Sequence, residues 1–484
     1  MAGKTTATRP EDHVSFTLAK WACELTYESL SPEAVHMAKL FLYDSFGCGL
    51  GGSEQHDVHI ALDYAKELGG RPTCTVIGSG FKTDPVMAAF LNSLCIRAMD
   101  YNDIYWKQDP SHPSDIIPAA MSIAEMNGAK GPSGGAGRDL ILGTIIAYEI
   151  EMRLCEFALP GIREYGWHHA TLTAFASPIV AGRLLGLDAY QIQHAIGISS
   201  SHSCTLGNVT AGKLTMMKNT VDPMACRAGV EAALLAKRGY SGPQHALDGK
   251  ESLTHCFGLV HKDGKPVQFD MSRLTDALPH CPKCHYKVLD CGMKSFPIEA
   301  LSHAPLSAMM KIVKEHRINP DDVQEIKVEV IARAADILGD PAKYRPNSKE
   351  TADHSLPYSL AVGLVDGMVT PLQFKDERIR DPKLIPVMDK IKVVANQEFE
   401  SRFPKYQPSR VTITLKSGKA YTAQVDVPKG DPRDPMTPAE IKVKFDALGA
   451  GVIGQKRCDA AGEIIMNVEK EKTLERLMGG MVKQ

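Results

Sequence analysis

The sequence predicts a mainly α protein: a large helical part, a smaller α+β part, and a return to helix at the end. Two observations carry this. Over residues 1–270 apolar side chains recur at helical spacing, with alanine and glycine often three or four positions apart, a pattern that lets helices pack closely. After about residue 270 the period changes. Glu325 to Val330 alternates, Ile391 to Val394 reads as a second strand, and Arg410 to Leu415 and Ala420 to Val427 alternate on either side of Ser417-Gly418, a hairpin signature. The division expected is therefore 1–270 helical, 271–430 α+β, and 431–484 helices that return to the first part.

Most elements announce their ends. Ser31-Pro32 supplies an N-cap and a proline at the first helical position, opening an apolar run to Gly49 that Gly51 and Gly52 close. Gly78 to Lys82 is a loop before a helix running from Pro85 up to Asp100. The glycine-rich run Lys130 to Gly137 is expected to be a flexible connection with little to pack. Helices follow over 138–155 and 171–187, and Asp188-x-x-Gln191 is a capping box for the helix reaching Ile198. In the second part helices are expected over 304–314 and 356–365. Gly430 to Pro435 is a linker, after which Thr437-Pro438-x-Glu440 caps the first returning helix.

The totals exclude several classes. A formal charge of −2 leaves no basic excess for nucleic acid, and no acidic tail is present. No apolar run approaches the roughly 18 residues that span a bilayer, Leu140 to Tyr148 being far too short. Met1 to Glu11 is polar and lacks the apolar centre of a secretory signal. A cytoplasmic location is expected, with the 12 cysteines as reduced thiols rather than disulfides.

Chemistry-bearing residues concentrate in Asp100-Tyr101-Asn102-Asp103 and Ser111-His112-Pro113-Ser114-Asp115, between two apolar helical stretches. That density at a helix junction implies a polar pocket. If the first helix continues, Asp100 and Asp103 share one of its faces. Gly166-Trp167-His168-His169 sets two histidines at the mouth of a helix; adjacent residues do not share a helix face, so one of the two is expected in a given site. Lys218, after Met216-Met217, reads either as an anion receptor or as a surface lysine lying along apolar neighbours. Lys294-Ser295-Phe296-Pro297 with His303, and Asp353-His354-Ser355-Leu356-Pro357-Tyr358, are further polar groups in apolar sequence. His280-Cys281-Pro282-Lys283-Cys284-His285 crowds four zinc-type ligands into one run, where structural zinc usually takes two separated couples. A zinc-binding interaction module centred there is the alternative of a different class. No phosphate-binding loop, dinucleotide fingerprint or Gly-x-Ser-x-Gly elbow occurs. Histidines, carboxylates, lysines and a tyrosine suit proton transfer on an anionic substrate.

In their order and spacing these runs, with Gly229-Val230-Glu231-Ala232-Ala233 after Lys218, resemble the MmgE/PrpD family over about residues 12–475. The resemblance implies a large all-helical domain with a smaller α+β lid inserted before the last helices, a homodimer, and chemistry without iron–sulfur cluster, other metal or cofactor. By motif it implies catalytic roles for Asp100, His112, His168, Lys218, His303 and Tyr358, with Asp103, His169 and Lys294 as substrate-binding neighbours. The substrate implied is a small di- or tricarboxylate. The leading expectation is a hydro-lyase of propionate metabolism that dehydrates an acid such as 2-methylcitrate. Decarboxylation of cis-aconitate or epimerisation of a dicarboxylate on the same scaffold is the alternative. The stretch Tyr105 to Pro110 departs from the decarboxylase-like pattern, and His112-Pro113-Ser114-Asp115 resembles the dehydratase side. No nucleic-acid or membrane partner is expected.

Overall fold

The computed structural model describes residues 9–483 apart from 212–213, 259–260, 263 and 404; most of the polar Met1 to Glu11 segment lies outside them. Helices dominate, and one hydrophobic cluster unites the helices Pro32–Gly52, Ile117–Asn127, Ala136–Phe157, Ala170–Leu184, Ala189–Ser200 and Met217–Ala236. The ends follow their residues. Ser31 Oγ accepts the Ala34 N–H at 3.1 Å, with Pro32 in the first turn. Asp84 accepts the N–H groups of Val86 and Met87, and the Asp188/Gln191 and Thr437/Glu440 boxes are both closed. The small residues act as the spacing predicts. A Cβ on Gly229 would lie 2.1 Å from Ser177 Oγ, so Ala170–Leu184 and Met217–Ala236 meet almost backbone to backbone.

Two expectations change. The first part is not purely helical: short strands Asp103–Trp106, Pro110–Ser111 and Gly292–Met293 form a sheet with Asp103–Trp106 in the centre. The glycine-rich run around 130–137 is docked rather than loose. Ala136 and Gly137 donate their N–H groups to the carbonyls of Lys472 and Glu471, and a Cβ on Gly137 would lie 1.7 Å from the Val468 carbonyl oxygen. Gly135 and Gly137 serve close approach to the C-terminal segment.

A second hydrophobic cluster spans Ile298 to Ile413. Its sheet runs in the order Ile391–Ala395, Val323–Val330, Ser409–Leu415, Ala420–Val425, with the first pair parallel and the others antiparallel. Along Val323–Val330 the alternation buries Ile326, Val328 and Val330 in the same cluster as the helices His303–His316 and Leu356–Asp366. Leu274, Tyr286, Val288, Cys291 and Met293 pack instead in the first cluster.

The helix Pro438–Ile453 lies along Pro32–Gly52, with Phe445 filling the space beside Gly47. From it the buried Lys444 Nζ pairs with Asp44 Oδ1 at 2.7 Å and donates to the carbonyls of Tyr101 (2.6 Å) and Lys294 (2.9 Å). One ammonium thus ties three distant segments. Removing one partner of a buried ion pair leaves the other uncompensated, so Lys444→Met is expected to cost about 3–5 kcal/mol in denaturant unfolding. Lys444→Met combined with Asp44→Asn should cost less than the two single changes added. A loss for Lys444→Met below about 1 kcal/mol, the range of exposed pairs, would show that the pair holds nothing together.

Candidate active site

The helix Pro85–Arg97 stops short of Asp100. Asp100 has φ of 50°, the left-handed region, which costs a side-chain-bearing residue about 1–2 kcal/mol. Asp100 and Asp103 therefore do not share a helical face. Asp103 opens a strand, and its carboxylate accepts the N–H (2.9 Å) and hydroxyl (2.6 Å) of Ser114. Asp100 turns the other way, into three buried cations: it pairs closely with Arg97, and its oxygens lie 3.3 Å from Lys218 Nζ and 2.8 Å from Lys294 Nζ. Lys294 also donates to the Asp100 carbonyl at 3.2 Å. Burial alone would raise the Asp100 carboxyl, but Lys218, Lys294 and Arg97 hold it well below the ordinary range, so it is ionised. Lys218 is not a surface lysine; it is 2% exposed. Burial pulls its pKa down to about 8 despite Asp100, and burial lowers Lys294 as well.

Histidines form the second wall. His112 Nδ1 lies 2.6 Å from the Asp103 carbonyl, so Nδ1 carries the hydrogen and Nε2 keeps its lone pair. His168 has the opposite arrangement: its Nδ1 accepts the Ala170 N–H at 3.2 Å, which leaves the hydrogen on Nε2. Burial, followed by Arg97 and Lys294 for His112 and by His169 for His168, keeps both well below the usual imidazole value and therefore neutral. His169 enters the same site, contrary to the helix-face expectation. The helix begins only at Ala170, and the His168 N–H bonds the Thr205 carbonyl, so both rings belong to the turn before it. The His169 ring centroid lies 3.9 Å from His168 and 5.7 Å from His112, and its Nε2 is 3.3 Å from Asp222 Oδ2. Nearby, burial raises Asp103 to about 6 and Glu151 to about 8.

The third wall comes from the second cluster. His303 opens the helix His303–His316, its Nε2 3.3 Å from the Ile298 carbonyl, and burial with Lys294 brings it down to about 3. His354 Nδ1 is 2.6 Å from Asp353, and donor atoms of Asp100, Asp353 and His354 lie within 4.8 Å of one another. Tyr358 is not with them. One helical turn on, its hydroxyl donates to the Gln373 carbonyl and its ring packs on Phe374 inside the second cluster. A cleft of about 620 Å³ leads inward past Trp106, Lys107 and Lys405 to Lys294 and His303. One continuous site thus gathers buried cations, neutral histidines of both tautomers and an ionised carboxylate.

Family comparison meets this geometry directly. Residues 17–263 match the MmgE/PrpD N-terminal domain and residues 296–470 the MmgE/PrpD C-terminal domain. The chain belongs to the MmgE/PrpD family. Its relatives include a cis-aconitate decarboxylase of Aspergillus terreus (strain NIH 2624 / FGSC A1156), 25% identical over 94% of this chain and 93% of that protein. The Homo sapiens cis-aconitate decarboxylase is 26% identical over 91% of this chain and 88% of its own. A 2-methylcitrate dehydratase of Salmonella typhi is 26% identical over 83% of this chain and 80% of its own.

In this MmgE/PrpD protein the candidate site also holds residues to which the motifs assign no role: Arg97, Asp115, Asp222 and His354. Arg97 was legible as a lone cation in an apolar helix, and His354 inside a quoted run; Asp222 carried no signal. Donor atoms of His168, His169 and Asp222 also lie within 4.8 Å of one another and have the character of divalent-ion ligands. In the Asp100 group every carboxylate already faces ammonium or guanidinium groups. The His280 to His285 run does not gather four ligands. Cys281 and Cys284 are joined as a disulfide, against the expectation of reduced thiols, and His285 bonds Asp290 at 2.9 Å.

The lowered Lys218 makes a direct prediction. A free lysine holds its proton beyond pH 10, whereas Lys218 should lose its charge as pH rises through about 8. NMR of labelled lysine side chains should show one ammonium titrating there, absent in Lys218→Met. A Lys218 that titrates with the surface lysines would contradict the geometry.

Proposed function

We propose that this protein is a hydro-lyase that removes water from a small tricarboxylate such as 2-methylcitrate by acid–base chemistry on its own side chains. The observation that carries the reading is the pair of opposite tautomers facing a group of buried cations. Elimination needs a base for the proton beside a carboxylate and a donor for the departing hydroxyl. Lys218 and Lys294 would hold that carboxylate and balance the enediolate charge as it develops. His112 Nε2, with a free lone pair, would take the proton. The Nε2–H of His168 would hold the hydroxyl as its bond to carbon breaks. Because proton and hydroxyl leave together as water, the proton taken at His112 has to reach the leaving oxygen. His169, with its ring between the other two and Asp222 beside it, lies on that path.

The cleft between the strand Asp103–Trp106 and His303 supports a lid made of the second cluster, which begins at Ile298 rather than near 271 because Leu274 to Met293 pack in the first, and which opens to admit the acid. The reading further places the enzyme in the cytoplasm as a metal-free homodimer; among the described residues no helix is long and apolar enough to cross a membrane. Decarboxylation of cis-aconitate is the second reading, favoured by the decarboxylase relatives, which align over 91–94% of the chain. The resemblance of His112-Pro113-Ser114-Asp115 to the dehydratase side favours dehydration.

Purified protein given 2-methylcitrate, citrate and cis-aconitate separates these. Alkene absorbance should grow with 2-methylcitrate; release of carbon dioxide from cis-aconitate without that growth would assign the other reaction. His112→Ala and Lys218→Ala should each lower turnover by about 10²-fold or more, the scale of acid–base and charge-stabilising groups. Turnover near wild type in both would overturn the site. A chelator should leave the rate unchanged, and a rate abolished by the chelator and restored by zinc would move the chemistry to His168, His169 and Asp222.

A further inference from the structure

Two of the lysines lining the cleft stand apart from its ion pairs. Glu156 is paired with Lys287 at 2.9 Å, and Asp290 with His285 at 2.9 Å. Lys429 lies 3.3 Å from both Asp434 and Glu440, and Arg433 forks onto Asp431 at 2.7 Å. Lys294 faces Asp100. Among the described lining residues, that leaves Lys107 and Lys405 as the two ammonium groups without a carboxylate in ion-pair reach. Each stands over an aromatic ring of its own loop, Lys107 at 5.9 Å from the Tyr105 centroid and Lys405 at 5.7 Å from Tyr406. The loops are held against each other and the cleft edge: Trp106 meets Phe403 edge-on at 6.2 Å, and Arg433 donates to the Lys405 carbonyl at 2.6 Å. The floor is not open surface, since Lys294 and His303 are 2% and 4% exposed. Two ammonium groups without carboxylate partners at the mouth, and the Lys294 ammonium at the floor, are the points along the cleft where an anionic group would be held.

We propose that Lys107 and Lys405 form a mouth subsite for the substrate carboxylate farthest from the reacting carbons, so that the enzyme selects acids with three carboxylates over acids with two. This rests on reading the site as a polycarboxylate lyase. Lys218 and Lys294 take the carboxylate beside the reacting carbon. The acid's third carboxylate points back along the cleft, where these two lysines meet it.

The test is equilibrium binding by calorimetry of two acids that carry no hydroxyl to lose, propane-1,2,3-tricarboxylate and glutarate. Lys107→Met with Lys405→Met should weaken the tricarboxylate about tenfold and leave glutarate within about twofold, two exposed charge contacts acting together. Lys107→Arg with Lys405→Arg should restore most of the affinity, and Lys130→Met, away from the cleft, should change neither acid. Tricarboxylate affinity unchanged in the double Met variant, both acids weakened alike, or no tricarboxylate binding by the wild type would each overturn the subsite. Lysine-dependent binding of the tricarboxylate in a protein that dehydrates none of the acids tested would uphold the subsite and sink the hydro-lyase reading.

Discussion

One carboxylate makes this site possible. Arg97, Lys218 and Lys294 come from a helix, a second helix and the end of a strand, and all are withdrawn from water. Three buried cations in contact would repel one another and lose their hydration, a cost that only a nearby fixed anion can offset. Asp100 is that anion. Its strained backbone turns the carboxylate away from the strand it precedes and into the three cations. Lys444, reaching from the C-terminal helix to the carbonyls of Tyr101 and Lys294, fixes the chain on both sides of the contact. The remaining positive excess is what a polycarboxylate would complete.

The same withdrawal from water sets the histidines. Burial beside cations keeps His112 and His168 neutral, and the backbone decides which nitrogen of each holds the hydrogen. A ring nitrogen with a lone pair and another with a hydrogen are thus set by the fold before any ligand arrives. Asp222, which burial would raise but His169 and Arg97 hold low, links the histidine wall to the cation group.

What could be read from the sequence was local. Ser31-Pro32, Asp188-x-x-Gln191 and Thr437-Pro438-x-Glu440 act over three or four residues, and each cap formed as its residues dictate. Alternation in Glu325 to Val330 gave a half-buried strand for the same reason. The failures are non-local. Asp103–Trp106 becomes a strand because Pro110–Ser111 and, far along the chain, Gly292–Met293 pair with it, so the chain is extended where a helical face was expected. His168 and His169 converge because Thr205 holds the turn ahead of the helix. Tyr358 lies one turn beyond His354, and a helical turn is enough to send it into the other core. For the candidate site, the motif segments are ones the fold brings together, while partners such as Asp222 and Lys444 emerged only when the chain was folded.

The account stands most directly on Asp100→Asn, which keeps the shape and removes the charge. Urea unfolding and turnover of the same preparation measure it. Leaving three buried cations without their anion should cost about 3–5 kcal/mol of stability, and turnover should fall by about 10²-fold or more. A variant within about 1 kcal/mol of the wild type that turns over at an undiminished rate would contradict the claim that this carboxylate holds the site together.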